Sequence, residues 1–296
     1  MNHPAIRQRS RPWLLSAPTI GTVIVFTVIP LLYTAALSVS GSTLGQPFRD
    51  WVGFSNFAKA LDPTNVTIRA LWQSVAFAFV TTLCSVVLGL ATALILDHFV
   101  RQGNIVRTLL LLPLLTPPAT VGVAWRLLLD NNGPINQLLA DLGIITSHIS
   151  FLSESPWAFW SVALADVWQW TPLVVLMLFA ELRALPREIF EAAAADGASR
   201  LQTIWHITLP QITVGIAAVT TLKLILSFRM FDLVYVMTAG GPGFDTYTAS
   251  YDIYRTALET FDIGLAAAKT LVFVVLVSVV MLPVVKLRDR AVQRVY

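Results

Sequence analysis

Long apolar runs alternate with short polar segments along this chain, and the pattern predicts six helices that cross a membrane. A helix that spans a bilayer needs about 20 mostly apolar residues. The runs that meet this requirement are 13–39, 71–96, 107–129, 157–180, 210–238 and 262–285. The segments between them are too short to form a soluble domain. The sequence therefore predicts a single membrane domain over 13–285, with tails at 1–12 and 286–296.

The composition agrees with a chain that is solvated by lipid. Hydrophobic residues make up 56% of the sequence and charged residues only 12%. Soluble domains carry about 25% charged residues. Because so little polar surface is available, a water-exposed globule of this size is excluded, and the predicted fold class is an all-α integral membrane protein.

The distribution of Lys and Arg predicts which side of the membrane each segment faces. If both termini are cytoplasmic, the cytoplasmic segments contain twelve Lys and Arg residues and the outer segments contain four. Cytoplasmic loops of membrane proteins carry the excess of basic residues, so both termini are expected in the cytoplasm. The first run, 13–39, is longer than the roughly 7–15 apolar residues of a signal peptide, and it is expected to remain as the first helix.

The segment 185–210, between the fourth and fifth predicted spans, has the pattern of a short helix outside the membrane. The alanines at 192–195 are the strongest helix formers. Gly197 is suited to end this helix and Ser199 to cap a second one. An exposed helix face with one aromatic side chain, Phe190, could dock in the groove of a partner or lie on lipid headgroups. The residue pattern alone leaves both possibilities open.

The spacing within this segment resembles the EAA motif of bacterial binding-protein-dependent ABC importer permeases. Glu191-Ala192-Ala193 is followed by Gly197 and then by Ile207-Thr-Leu-Pro210 at the family's spacing. The resemblance implies a type I ABC importer permease fold with a cytoplasmic coupling helix that sits in a cleft of the ATPase. The residues expected to couple to the ATPase are Phe190, Glu191, Ala192, Ala193, Asp196, Gly197, Ile207, Leu209 and Pro210.

Other segments make the resemblance more specific. Trp125-Arg126, Gly133-Pro-Ile-Asn136, 231–243 and 261–268 look like parts of sugar-type permeases. The resemblance covers essentially the whole chain and is to the maltose/glycerol-3-phosphate type, in particular to the trehalose-importer permeases of actinobacteria. It implies a multi-pass protein of the bacterial plasma (inner) membrane that imports a di- or oligosaccharide, with trehalose favoured.

The same resemblance implies partners, because the sequence has no ATP-binding loop of its own. No G-x-x-x-x-G-K-[ST] motif is present. ATP and Mg²⁺ are therefore expected on a separate ABC ATPase, present in two copies. The other implied partners are a second homologous permease subunit and an extracytoplasmic sugar-binding lipoprotein. No catalytic residue, metal site or cofactor is predicted in this chain, and no binding of nucleic acid.

Polar residues within the fourth and fifth predicted spans are candidates for a substrate path. Charged groups inside spans usually face the interior of the helix bundle. Arg229 and Asp232 are three residues apart and could pair on one helix face. They could line a sugar path or form an ion pair toward the partner permease, and both interpretations remain open. The candidate path residues are Gln169, Trp170, Lys223, Ser227, Arg229, Met230, Asp232 and Tyr235.

Two other functions fit a six-span protein. An ion-coupled secondary transporter could use Lys223, Arg229 and Asp232 and would need no ATPase. A structural membrane subunit would have no substrate path at all. The spacing of the EAA motif argues against both.

Overall fold

The computed structural model of the protein describes residues 12–99 and 104–295, and the described residues are mostly helical. Apart from Pro12, the predicted N-terminal tail lies outside them. Within these residues, three short segments are π-helical: Ile24–Val28, Ile204–Thr208 and Arg255–Glu259. The α-helices are α1 (Pro12–Val23), α2 (Ile29–Ser38), α3 (Ser55–Ala60), α4 (Val66–Phe99), α5 (Asn104–Leu115), α6 (Pro118–Leu128), α7 (Pro134–Asp141), α8 (Trp157–Ala184), α9 (Arg187–Ala195), α10 (Arg200–Thr203), α11 (Leu209–Gln211), α12 (Thr213–Phe228), α13 (Asp232–Met237), α14 (Ala249–Tyr254) and α15 (Ile263–Val295).

Within the described residues, four helices are long and apolar enough to cross a membrane: Ser16–Ser38, Val66–Asp97, Trp157–Ala184 and Ile263–Asp289. A fifth span is obtained if Arg200–Gln211 and Thr213–Phe228, which meet at 66°, are counted as one. The all-helical class is confirmed, while the count of six spans stays a prediction. The last helix also continues through the predicted C-terminal tail to Val295.

The third predicted span, 107–129, is not one continuous helix. It consists of α5 and α6, which are separated at Thr116 and Pro117. Two consecutive prolines remove two N–H donors, and a residue that precedes proline is disfavoured in helical conformation. Pro118 instead occupies the first turn of α6, where a missing N–H costs nothing.

The fifth predicted span, 210–238, also differs in the structure. The helix α12 ends at Phe228, the residues 229–231 are not helical, and α13 begins at Asp232. The carboxylate of Asp232 lies in the first turn of α13, where the helix dipole favours a negative charge. The predicted pairing of Arg229 and Asp232 on one helix face is therefore wrong, and among the described residues no ion pair joins them.

The helix α8 is the centre of the bundle. In its spanning stretch 61% of the residues are buried, compared with 6% for the first span and 0% for the last. It packs closely against α4, where Gly89 lies directly beneath Val174. The residues buried with Val174 are Ala93, Val175, Leu178, Phe179, Leu182, Ile212 and Val219.

A buried ion pair joins α14 to α15. Lys269 Nζ lies 2.9 Å from both carboxylate oxygens of Asp252, and both side chains are about 5% exposed. Asp252 also accepts hydrogen bonds from the hydroxyls of Thr67 on α4 and Tyr247. Burial and the Asp252 carboxylate raise the pKa of Tyr247, so this phenol stays protonated and can donate. This group thereby ties α4 to α14 and α15, which lie far from it in sequence.

The close contact of α4 with α8 gives a testable prediction. A Cβ at Gly89 would lie 2.5 Å from Val174 Cγ1, whereas a Cβ at Gly21 would meet nothing within 4 Å. We expect Gly89→Ala to lower the thermal midpoint in detergent, since overpacking typically costs about 1–3 kcal/mol. Gly21→Ala, the matched control, should leave the midpoint unchanged or raise it. Equal midpoints for the two variants would contradict this packing.

Candidate functional site

A cavity of about 200 Å³ lies where the two helix breaks meet. One wall is the start of α6, a second is the middle of α8, and a third is the segment between α12 and α13. Five of the eight predicted path residues line it: Gln169, Trp170, Arg229, Met230 and Asp232. The other lining residues are Pro118, Asp166, Leu226, Phe231 and Leu233.

At the break between α5 and α6, a side chain replaces a helix hydrogen bond. Gln169 Nε2 donates to the carbonyl of Thr116 at 3.0 Å. A carbonyl can only accept, so this contact fixes the orientation of the Gln169 amide. Its other atom, Oε1, is buried and has no hydrogen-bond partner. The break is thus closed on the protein side, and the Gln169 Oε1 acceptor stays buried without a partner.

At the break between α12 and α13, hydroxyl groups perform the same task. Thr248 Oγ1 donates to the carbonyl of Met230 at 3.4 Å, and Ser250 Oγ donates to that of Phe228 at 3.5 Å. Backbone carbonyls at membrane depth need such partners because lipid offers none. The short segment 229–231 can therefore leave the helix and expose its side chains to the cavity.

Lys223 and Asp166 form a buried ion pair, with Asp166 in the cavity wall and Lys223 behind it. Lys223 Nζ is 2.6 Å from Asp166 Oδ2, and Lys223 is fully buried. Lys223 also donates to Ser227 Oγ at 2.7 Å, and Ser227 is bonded in turn to Thr81 and Thr82 of α4. Of these groups only Asp166 lines the cavity. The predicted path residues Lys223 and Ser227 therefore lie behind the wall in this conformation.

Sequence reasoning missed Asp166. An acidic residue in the fourth apolar run is itself a signal, because charged groups inside spans usually face the bundle interior. Its partner Lys223 is 57 residues away, and no local pattern connects the two.

Tyr235, the eighth predicted path residue, lies outside the cavity in a group of aromatic rings. Its ring is 5.5 Å from that of Phe231 and 5.3 Å from that of Tyr254. Phe231 belongs to both the aromatic group and the cavity lining. Tyr235 also lines a separate cavity of about 290 Å³ with Arg126, which donates to the carbonyl of Val236 at 3.1 Å. Aromatic surface thus continues from the first cavity toward the second.

The loop 185–210, which is predicted to couple to the ATPase, has the local geometry that its sequence predicts. The helix α9 ends at Ala195, and Gly197 follows with φ +73°. Ala198 N donates to the carbonyl of Ala193 at 3.0 Å, which closes the helix end. Ser199 and Gln202 form a reciprocal capping box at the start of α10. Gly197 thus confirms the predicted end of the first helix, and Ser199 confirms the predicted start of the second.

The predicted coupling residues are mostly on the surface. Glu191, Ala192, Asp196, Gly197 and Pro210 are exposed, Phe190, Ile207 and Leu209 are half-buried, and Ala193 is buried. Phe190 faces a cavity of about 470 Å³ between α9 and the ends of α4 and α8. Next to this cavity, Arg183 and Asp97 form an ion pair at 2.9 Å that ties α8 to α4. The loop therefore presents a free outer face while its inner face rests on the membrane helices.

In the part of the chain that the structure describes, no three His, Cys, Asp or Glu side chains lie close enough together to hold a metal ion.

Comparison with solved structures places this geometry in a known fold. The crystal structure of a bacterial ABC transporter involved in the import of the acidic polysaccharide alginate contains a chain that superposes with a TM-score of 0.82. The alignment covers 95% of this chain and 96% of that chain at 23% sequence identity. The predicted ABC importer permease fold is confirmed.

Sequence comparison identifies relatives over nearly the full length. The trehalose/maltose transport system permease protein MalF of Thermococcus litoralis is 32% identical over 280 residues, which is 92% of each protein. The sn-glycerol-3-phosphate transport system permease protein UgpA of Salmonella typhimurium is 31% identical over 292 residues, covering 97% of this chain and 96% of UgpA. These relatives are permease components of transport systems and not enzymes.

The family model described as "binding-protein-dependent transport system inner membrane component" matches residues 85–294, a range that contains the loop 185–210 and all of the cavity lining. The resemblance stated from the EAA spacing is confirmed by this match and by the two relatives. The chain therefore belongs to the family of binding-protein-dependent transport system inner membrane components.

Proposed function

We propose that this chain is a permease subunit of an ATP-driven importer of a di- or oligosaccharide, with trehalose favoured, and that the sugar passes through the cavity between the two helix breaks. The observation that carries the proposal is the junction of α5/α6 with α12/α13. Broken helices at membrane depth are tolerated where they line a cavity, and transporters place substrate sites at such breaks.

The chemistry of the lining suits a sugar. Gln169, Arg229 and Asp232 offer hydrogen bonds to hydroxyl groups, and Trp170 and Phe231 offer flat apolar faces to a sugar ring. The cavity is smaller than the roughly 300 Å³ at which ligand pockets typically begin. A second wall, which a homologous permease subunit would supply, completes the site in this proposal.

Two relatives support a sugar or sugar-like substrate. One of them is named for trehalose and maltose and the other for sn-glycerol-3-phosphate. Trehalose is favoured because the relative named for trehalose and maltose is similar to this chain over nearly the full length of both proteins.

The coupling loop would receive the energy for transport. In the proposed complex, two copies of an ABC ATPase bind ATP and Mg²⁺ and hold the exposed face of α9, while a sugar-binding lipoprotein delivers substrate on the opposite side. Closure of the ATPases would move α9 and with it the end of α8. Because Gln169 lies on α8, this motion would open the cavity alternately to either side of the membrane.

The proposed orientation has both termini and the coupling loop in the cytoplasm. It rests on the twelve basic residues of the cytoplasmic segments against four in the outer ones.

An ion-coupled secondary transporter is the second candidate, and the buried Lys223–Asp166 pair is the observation that favours it. Buried ionisable groups in spans are frequent in proton relays. That function predicts uptake that stops with an uncoupler and needs no ATP.

The coupling loop gives one prediction. Proline fixes φ near −65°, so it cannot replace Gly197 at φ +73° without destroying the end of α9. We expect Glu191→Ala with Gly197→Pro to abolish sugar uptake in proteoliposomes while the complex still inserts and hydrolyses ATP. The matched control is Gly143→Pro, since Gly143 has φ +68° in the segment between α7 and α8. Normal sugar uptake by the double variant would contradict the proposed coupling role of this loop.

The cavity gives another prediction. Trp170 lines the cavity, whereas Trp168 lies on a different face of α8 against Trp125. We expect Trp170→Ala to raise the KM for sugar uptake roughly tenfold, which corresponds to about 1.4 kcal/mol of lost contact. Trp168→Ala should leave KM within about twofold of the wild-type value. An effect of equal size from both variants would place the sugar elsewhere.

A further inference from the structure

We propose that Asp252 is a positioning residue for transport: its buried ion pair with Lys269 fixes the helix α14, and α14 in turn holds the irregular segment 229–231 at the cavity. The proposal rests on the function given above, because it takes that cavity as the sugar path. It goes further in assigning a role in transport to a buried pair outside the cavity, since neither Asp252 nor Lys269 is among the lining residues.

One set of contacts anchors α14 to α15 and α4. Lys269 Nζ, on α15, lies 2.9 Å from each carboxylate oxygen of Asp252. The hydroxyl of Thr67, on α4, donates to Asp252 Oδ2 at 2.9 Å. One helical face further along α4, the hydroxyl of Ser74 accepts from the N–H of Ala249, the first residue of α14, at 2.8 Å. All five residues are buried, so water does not compete for these contacts.

A second set of contacts connects α14 to the break between α12 and α13. Thr248 is the N-cap residue of α14, and its hydroxyl donates to the carbonyl of Met230 at 3.4 Å. The hydroxyl of Ser250, within α14, donates to the carbonyl of Phe228 at 3.5 Å. The same short helix that Asp252 anchors therefore supplies both hydroxyl donors to the break.

Aromatic rings on α14 support the same segment. The ring of Tyr254 lies 5.0 Å from that of Phe231, and the ring of Tyr251 lies 6.5 Å from it. Phe231 in turn lines the cavity. Ring pairs at these distances have preferred geometries, so the position of α14 also bears on the position of Phe231.

The polar contacts to the break are sensitive to small movements of α14. Both are long, and a side-chain contact at about 3.6 Å is no longer a hydrogen bond. A small shift of α14 away from the break would therefore leave the carbonyls of Phe228 and Met230 without these donors. Lipid offers no replacement, so the segment 229–231 would have to rearrange.

An ion pair at Asp252 contributes more to position than to stability. Buried pairs add little stability compared with apolar residues of the same volume, because both charges must leave water. Their contacts are directional, however, and Asp252 is bonded by Lys269, Thr67 and Tyr247 at once. The pair thus selects one position of α14 among those that apolar packing would allow.

The test uses the whole complex purified from its native membrane and reconstituted in proteoliposomes with ATP. Asp252→Asn with Lys269→Met removes both charges and the bond to α15, while the amide oxygen at position 252 can still accept from Thr67 and Tyr247. We expect the number of radiolabelled trehalose molecules carried per ATP hydrolysed to fall roughly fivefold, because substrate must then order the segment 229–231. This ratio does not depend on the amount of folded complex, so a loss of stability alone would leave it unchanged.

A second readout reports on the segment itself. The sequence contains one cysteine, Cys84, so Cys84→Ser with Met230→Cys leaves a single thiol at a buried position in the cavity lining. We expect a maleimide to label this thiol roughly fivefold faster when the exchanges at Asp252 and Lys269 are added, because local opening exposes it. Labelling needs no transport, so it tests the support of 229–231 separately from the proposed function.

The matched control is Asp50→Asn with Arg49→Met, the same kind of exchange in an exposed pair. It should leave the sugar-to-ATP ratio and the labelling rate unchanged. Thr67→Val keeps both charges and removes one bond between α14 and α4. It should change both readouts in the same direction by roughly twofold, and it provides the test if the double variant does not insert.

Unchanged labelling in the Asp252 double variant and in Thr67→Val would overturn the positioning role and leave the importer function standing. A sugar-to-ATP ratio that stays at the wild-type value, even with faster labelling, would overturn the role of Asp252 in transport in the same way. Failure of the assembled, ATP-hydrolysing wild-type complex to carry trehalose or maltose would instead overturn the proposed function, and with it the part that Asp252 plays in transport.

Discussion

Hydrocarbon offers no hydrogen-bond partners, so every backbone group that leaves a helix inside a membrane must find a partner within the protein. This constraint governs the centre of the molecule. At the α5/α6 break Gln169 bonds the Thr116 carbonyl, and at the α12/α13 break Thr248 and Ser250 make longer contacts, of 3.4 and 3.5 Å, with two other carbonyls. The two breaks adjoin one cavity, and the side chains of residues 229–231, which lie outside the helices, form part of its lining. The interactions that allow the irregular backbone thus also shape the candidate site.

The helix α8 connects this centre to the loop 185–210. It carries Asp166 and Gln169 at the cavity, and at its far end the ion pair between Arg183 and Asp97 ties it to α4 beside the coupling loop. Its close packing on α4 leaves little room for the two helices to move independently. A displacement of α9 is therefore expected to be transmitted along α8 as a shift of a rigid element, which is the mechanical requirement of the proposed transport cycle.

The parts of this structure that depend on local chemistry could be predicted from the sequence. Gly197 and Ser199 end and begin helices where expected, because caps are determined by residues within one turn. The end of α12 could not be predicted, since the hydroxyls that satisfy Phe228 and Met230 come from residues about 20 positions further along. Lys223 is recognisable as unusual from the sequence, but its burial against Asp166 depends on a contact across 57 residues that no periodicity reveals. The predicted path residues remain predictions, and the cavity brings five of them together.

The central claim is that a separate ATPase drives transport through the exposed face of α9. The most direct measurement is site-specific photo-crosslinking in the native membrane, with a crosslinking amino acid at Ala195, which is exposed at the end of α9, and a control at the exposed Trp51, which precedes α3. Mass spectrometry then identifies what each position has captured. We expect a phosphate-loop ATPase to be captured from Ala195 and not from Trp51, in a complex that also contains a second permease of the same family. Recovery of the chain alone or only as a homo-oligomer, with no ATPase linked to Ala195, would contradict this claim.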